Sequence, residues 1–153
     1  WVRKIFKRLR WMILISHRGN INGKTSQENR PEYIRAALFQ GYDCEIDVWY
    51  VDDNFYLGHN YPQYKIEESF LYNAKLWCHA KNIQALYKMK LNPLIHCFYH
   101  ETDKVTITSK GYLWTYPNNE LTDKSICVLP EIQKIKIDNC AGICSDKIKE
   151  YIK

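Results

Sequence analysis

Residues 42–51 read YDCEIDVWYV. Cys44, Ile46 and Val48 alternate with Asp43, Glu45, Asp47 and Trp49, and a period of two is that of an extended strand with unlike faces. Glu45 and Asp47, two residues apart, then share one face. On an exposed strand that face would simply be solvated. Here the opposite face is apolar and a central place in a sheet is expected, so the two carboxylates turn toward an interior or its mouth. Buried together they repel and lose hydration unless basic groups or a hard divalent cation, such as Mg²⁺ or Ca²⁺, balance them.

On both sides of this strand the chain alternates strand and helix signals. MILIS at 12–16 reads as a strand, a polar loop follows over 17–30, and Pro31 suits the first turn of a helix over PEYIRAALFQ that Gly41 ends. Beyond residue 51, Asp52-Asp53-Asn54 turns the chain into a return strand, FYLGH. A three-residue loop with Asn54 left-handed would pair Val51 with Phe55 and Asp47 with His59, putting His59 on the carboxylate face; a two-residue loop would put it on the opposite face. A helix near 66–73, a strand 75–80 and a helix 82–90 come next. Strands are expected at 94–100, 104–108, 112–116, 125–129 and 140–144, with a last helix after the cap pair Ser145-Asp146. Such alternation predicts a mainly parallel sheet that works at the C-terminal ends of its strands. The expected class is α/β, a compact (β/α) TIM-type barrel with shortened or missing helices. A full barrel takes about 250 residues, whereas the chain has 153, so several crossovers must be very short or lack helices.

With 46% hydrophobic and 25% charged residues, the composition excludes a disordered tail and a low-complexity linker. Residues 12–153 are expected to form one domain around one core. No apolar run reaches the roughly 18–20 residues of a transmembrane helix. The net charge of +5 sits in residues 1–11, which hold five of the 22 basic residues and no acid; the remainder has 17 of each sign. A neutral body offers no basic face, so no nucleic-acid partner is expected. Trp1, Val2, Ile5, Phe6 and Leu9 fall at helical spacing in that segment. It reads as a basic amphipathic extension, and weak contact with an anionic membrane surface competes with an inert one. It lacks the apolar stretch and cleavage site of a secretory signal. Cys44, Cys78, Cys97 and Cys127 lie in apolar runs, and Cys140 and Cys144 are four apart. Reduced structural thiols in a cytoplasmic protein are expected rather than disulfides or a zinc cluster.

The chemistry-bearing residues gather at strand ends. His17-Arg18 closes the first strand, Glu45 and Asp47 lie on the second, His59 ends the return strand, and His79 and Lys81 end the next. Arg18 is one of only three arginines after residue 11, and its planar fork suits a phosphate.

These residues carry a family resemblance. HRG at 17–19, Glu28-Asn29 before a helix, EID at 45–47 and LGHN at 57–60 resemble the glycerophosphodiester phosphodiesterase pattern HRG, EN, ExD and HD. More loosely, Ala80-Lys81, Trp114-Thr115 and the run from Ala141 to Asp146 are similar to its later motifs, so the likeness spans residues 13 to about 147. The resemblance implies a barrel of the phosphatidylinositol phospholipase C type. It implies phosphodiester cleavage with one divalent cation, His17 and His59 acting as the acid–base pair. Arg18 and Lys81 would hold the phosphate; Glu45 and Asp47, with Glu28, would serve the metal, and Asn29 would support the site. Attack by an adjacent substrate hydroxyl would give a cyclic phosphate.

Three departures follow. His79 stands where the family has a third metal carboxylate, which admits Mn²⁺ or Zn²⁺ beside Mg²⁺ or Ca²⁺; Glu101 or Asp103 is the alternative third ligand. Only 19 residues separate His59 from His79, leaving no room for the insert that shapes the family's glycerol pocket. Asn60 replaces the acid after the second histidine and brings no charge to it. The expected ligand is a small or lipid-derived phosphodiester. A sphingomyelinase D-like or lysophospholipid-cleaving enzyme, and a silent barrel that binds a phosphorylated ligand or a partner, are the other readings.

Overall fold

In the computed structural model the described residues are 12–132, 137 and 139–152, so the basic segment 1–11 lies outside them. In chain order they form β1 (Ile13–His17), α1 (Pro31–Phe39), β2 (Asp43–Val51), β3 (Asn54–Leu57), β4 (Tyr64–Ile66), β5 (Leu76–Ala80), α2 (Ile83–Lys90), β6 (Cys97–Phe98), β7 (Val105–Ile107), β8 (Leu113–Thr115), β9 (Ser125–Val128) and β10 (Gly142–Ser145). Short 3₁₀ turns cover Glu68–Tyr72, Pro130–Ile132 and Ile148–Tyr151.

Seven strands run parallel in the order β8-β9-β10-β1-β2-β5-β6. β3 pairs antiparallel with the outer half of β2, β4 with β3, and β7 with β8. The result is a curled mixed sheet, and this corrects the expected TIM-type barrel. Among the described residues only the β1–β2 and β5–β6 crossovers carry an α-helix, α1 and α2. No ladder joins β6 to β8, because β6 has two residues and the outer edge of β8 is taken by β7. Single bonds span that gap: Ser109 N–H donates to the Cys97 carbonyl at 2.8 Å and Thr106 Oγ1 to the Tyr99 carbonyl at 2.9 Å. Chain length accounts for the β8–β9 crossover, since a helical one needs a dozen or more residues and this segment holds nine, while the β2–β5 and β6–β8 segments are spent on β3, β4 and β7.

Other local expectations also shift. The helix expected near 66–73 is the end of β4 and a 3₁₀ turn, and the last helix is a 3₁₀ turn as well. The strand expected at 94–100 shrinks to Cys97–Phe98. The hairpin loop has two residues, with Val51 opposite Asn54 and Val48 opposite Leu57. Asp52 and Asp53 both adopt positive φ, 48° and 59°, as a type I′ turn requires and as aspartate tolerates.

Alternation along the central strands sorts the core. Cys44, Ile46, Val48, Leu76, Cys78 and Ala80 pack outward against Ile34 and Ala37 of α1 and Ala85 and Met89 of α2. Asn82 caps α2, its side chain accepting from the Ala85 N–H at 3.0 Å, and its Nδ2 ties the helix to β2 through the Tyr50 carbonyl at 2.9 Å. Inside the curl, Ile15, Trp77, Phe98, Trp114, Ile126, Val128 and Cys144 form the floor. β1 and β10 approach so closely at Gly142 that a Cβ there would lie 2.5 Å from the Ile13 carbonyl oxygen.

Candidate active site

The parallel registers place His17 beside Glu45 and Asp47 beside His79. All four point to the same inner face as Trp77, which sits one layer deeper beside Glu45. Above this floor lies a cavity of about 370 Å³, walled by His17, Arg18, Glu45, His59, His79 and Lys81 and, across from them, by Tyr99, His100, Trp114 and Tyr116. Its walls are the C-terminal ends of β1, β5, β6, β8 and β9, where a parallel sheet leaves its strand ends open to a ligand.

The carboxylate pair sits at the base of this cavity. Glu45 is 2% and Asp47 0% exposed. Asp47 Oδ2 is 2.9 Å from Arg18 Nε, accepts from Asn29 Nδ2 at 2.8 Å and lies 3.5 Å from His59 Nδ1. Asn29 also accepts from the Asp47 N–H at 2.9 Å, so both ends of its amide are used. Asp47 Oδ1 faces His79 Nδ1 at 3.2 Å and Lys81 Nζ at 3.9 Å. It and Glu45 Oε2 are buried without a hydrogen-bond partner. Burial would raise the Asp47 pKa, but His59, His79 and the Arg18 guanidinium outweigh it and hold the carboxyl well below its ordinary value. Burial and the neighbouring Asp47 charge push Glu45 upward. Glu45, Asp47 and His79 together could hold a metal ion: one ligand atom from each lies within 4.8 Å of the others. Two orphaned buried carboxylate oxygens beside an imidazole nitrogen fit a cation.

A second network fixes His17. Its Nδ1 lies 2.7 Å from Asp146 Oδ1, and its Nε2 is 3.7 Å from Glu45 Oε2. Asn20 Nδ2 donates to Asp146 Oδ1 and to Glu28 Oε1, each at 2.8 Å, and Glu28 Oε2 accepts from Arg18 Nη1 at 3.2 Å. The Tyr33 hydroxyl donates to Asn20 Oδ1 at 3.1 Å. Burial lowers the His17 pKa, yet the Asp146 bond and the Glu45 charge more than offset it, and the net shift is upward. Arg18 and Asn29 hold these positions with positive φ, 57° and 62°, conformations that non-glycine residues adopt at a cost.

His59 reaches the carboxylate face by a route other than the expected register. With a two-residue turn, strand alternation would send it outward. β3 ends at Leu57, however, and Gly58 takes φ 155° while its N–H donates to the Asp47 carbonyl at 3.1 Å. A Cβ at Gly58 would lie 2.1 Å from the Tyr61 carbonyl oxygen. Freed from the pleat, the His59 ring lies at the rim, 43% exposed, with Nε2 3.5 Å from Arg18 Nη2.

The structure thus brings His17, Arg18, Glu45, His59, His79 and Lys81 to one cavity, with Asp47 buried behind its wall against Arg18, His79 and Lys81. Glu28 stands apart from the three-residue metal group, its two oxygens taken by Arg18 and Asn20. Glu101 lines the cavity but accepts from the Tyr99 hydroxyl at 2.6 Å, and Asp103 accepts from the Glu101 N–H at 3.3 Å. Asp146, read from sequence as part of a helix cap, instead orients His17. Asn20, which joins Glu28, Tyr33 and Asp146, and His100, whose Nε2 hydrogen-bonds the Tyr116 hydroxyl, had no sequence signal. Among the described residues no helix is long and apolar enough to cross a membrane. Compared with protein-family models, curated proteins and solved structures, the chain shows no match.

Proposed function

We propose that the cavity is the active site of a metal-assisted phosphodiesterase of the glycerophosphodiester type. The observation that carries this reading is the buried Glu45–Asp47–His79 group with a fixed imidazole, His17, on one side and two cations, Arg18 and Lys81, on the others. A divalent cation bound there would neutralise charge on a phosphate oxygen. Arg18 and Lys81 supply positive charge for the phosphate, whose oxygens gain charge as the diester breaks. Asp146 accepts the Nδ1 proton of His17, which leaves Nε2 facing the cavity as a base. His17 takes the proton of an attacking hydroxyl, from water or from the substrate's own neighbouring carbon. Cleavage of the P–O bond releases an alkoxide, and His59 at the open rim protonates it. Arg18 and Asp47 approach the His59 ring nitrogens at 3.5 Å each, so Asp47 takes the orienting part that Asn60 lacks the charge to play.

The test is ³¹P NMR of a pool of glycerophosphodiesters, lysophospholipids and alkyl phosphodiesters, with Mg²⁺, Ca²⁺, Mn²⁺ or Zn²⁺ and then with chelator. Loss of one resonance with a cation present, absent from His17→Ala, is expected. Resonances that all persist with every cation contradict the reading.

A further inference from the structure

The orientation of His79 says more about the cation, on the premise that the site above is a cation site. His79 Nε2 lies 3.3 Å from the His100 carbonyl oxygen. A carbonyl only accepts, so Nε2 carries a proton. The ring is clamped as well: it stacks on Phe98 at 5.3 Å and 5° and on His100 at 4.2 Å and 10°. Nδ1 is therefore held toward Asp47 Oδ1 at 3.2 Å and Glu45 Oε1 at 3.8 Å. An N–H at Nδ1 would reach Asp47 Oδ1 at 3.2 Å but out of line, and that buried oxygen is left without a well-formed hydrogen bond. A bare lone pair facing two carboxylates would be repelled. A cation between the three resolves both difficulties.

We infer that His79 is a preorganised Nδ1 donor and that the group Glu45, Asp47 and His79 selects a borderline transition cation such as Zn²⁺ or Mn²⁺ over Mg²⁺ and Ca²⁺. Two carboxylates alone would favour hard cations; one imidazole whose other nitrogen is tied to a backbone carbonyl shifts the set toward nitrogen-accepting metals. The His100 carbonyl and the stacking rings act only through His79 and are positioning groups.

Zinc outbinds magnesium at almost any site, so the decisive quantity is a ratio. Competitive titrations of the full chain with Zn²⁺, Mn²⁺, Mg²⁺ and Ca²⁺ are compared with those of His79→Glu, which restores an all-oxygen set. The preference for Zn²⁺ over Ca²⁺ is expected to fall at least about tenfold in the variant. In the wild type, long-range ¹H–¹⁵N spectra should show His79 protonated at Nε2, with its Nδ1 resonance displaced by Zn²⁺. An unchanged ratio in folded His79→Glu, or Nδ1 still protonated at Zn²⁺ saturation, overturns the inference and leaves the cation site standing. Failure of every cation to bind the wild type overturns both. If the variant does not fold, the nitrogen spectra decide.

Discussion

Acidification offers a sharp test of the packing beneath the site. His96 is 3% exposed, its Nε2 is 2.7 Å from Thr108 Oγ1, and its ring centroid is 4.3 Å from that of Trp77. The Thr108 hydroxyl oxygen accepts from the Tyr112 N–H at 3.2 Å, so its proton is free to go to a neutral imidazole. Burial, with a smaller push from Lys110, lowers the His96 pKa to about 4. An unfolded histidine titrates near 6.5. The unfolded state therefore binds a proton that the folded state refuses; the contribution is complete above about pH 6.5 and is lost as pH falls toward 4. At about 1.4 kcal/mol per unit, the loss is about 2 kcal/mol by pH 5 and about 3 kcal/mol by pH 4. His96→Gln removes this titration. Urea unfolding followed by tryptophan fluorescence should show wild type ahead of the variant at about pH 7.5, with the gap closing by about 2 kcal/mol at about pH 5. His100, also lowered to about 4 by burial and by His79, is present in both proteins and cancels. A gap that stays constant over this range refutes the reasoning.

Three further outcomes are expected. Asp146→Asn should lower the His17 pKa in an NMR titration, because the bond that lifts it against burial is weakened; an unmoved value contradicts the network. Gly58→Ala should cost about 2–3 kcal/mol in chemical denaturation and shift the His59 resonances, since the new Cβ would meet the Tyr61 carbonyl oxygen at 2.1 Å; a neutral substitution would be incompatible with the observed turn. All six cysteines are buried, and burial pushes the Cys44 thiol up to about 12 and Cys127 up to about 11. The native protein should resist a thiol reagent that labels all six in urea, and rapid labelling of the native state would contradict that burial.

The alternation in 42–51 was legible from sequence because a period of two needs nothing beyond the strand itself, and it put Glu45 and Asp47 on one inner face. The strand ends carrying His17 and Lys81 were legible for the same reason. Closure of the sheet was not, since it depends on whether β8 offers its outer edge to β6 or to β7. That choice is made by the short turn at Ser109–Lys110–Gly111, where the Thr108 N–H donates to the Tyr112 carbonyl at 2.8 Å. His59 reaches the carboxylate face although a two-residue loop predicts the opposite one, because a glycine beyond the end of β3 overrides alternation. Asp146 was hidden because its position after a strand resembles a helix cap, and its true partner lies 129 residues away.

The most direct test of the account is equilibrium dialysis of the wild-type chain and Glu45→Gln/Asp47→Asn against Mn²⁺ and Zn²⁺, with metal content measured per chain. The double variant removes the charges while keeping the shapes of the side chains, and circular dichroism confirms its fold. One cation per wild-type chain and none in the variant is the predicted result. A wild type that binds none, or a folded variant that binds as tightly, contradicts the cation site at the base of the cavity.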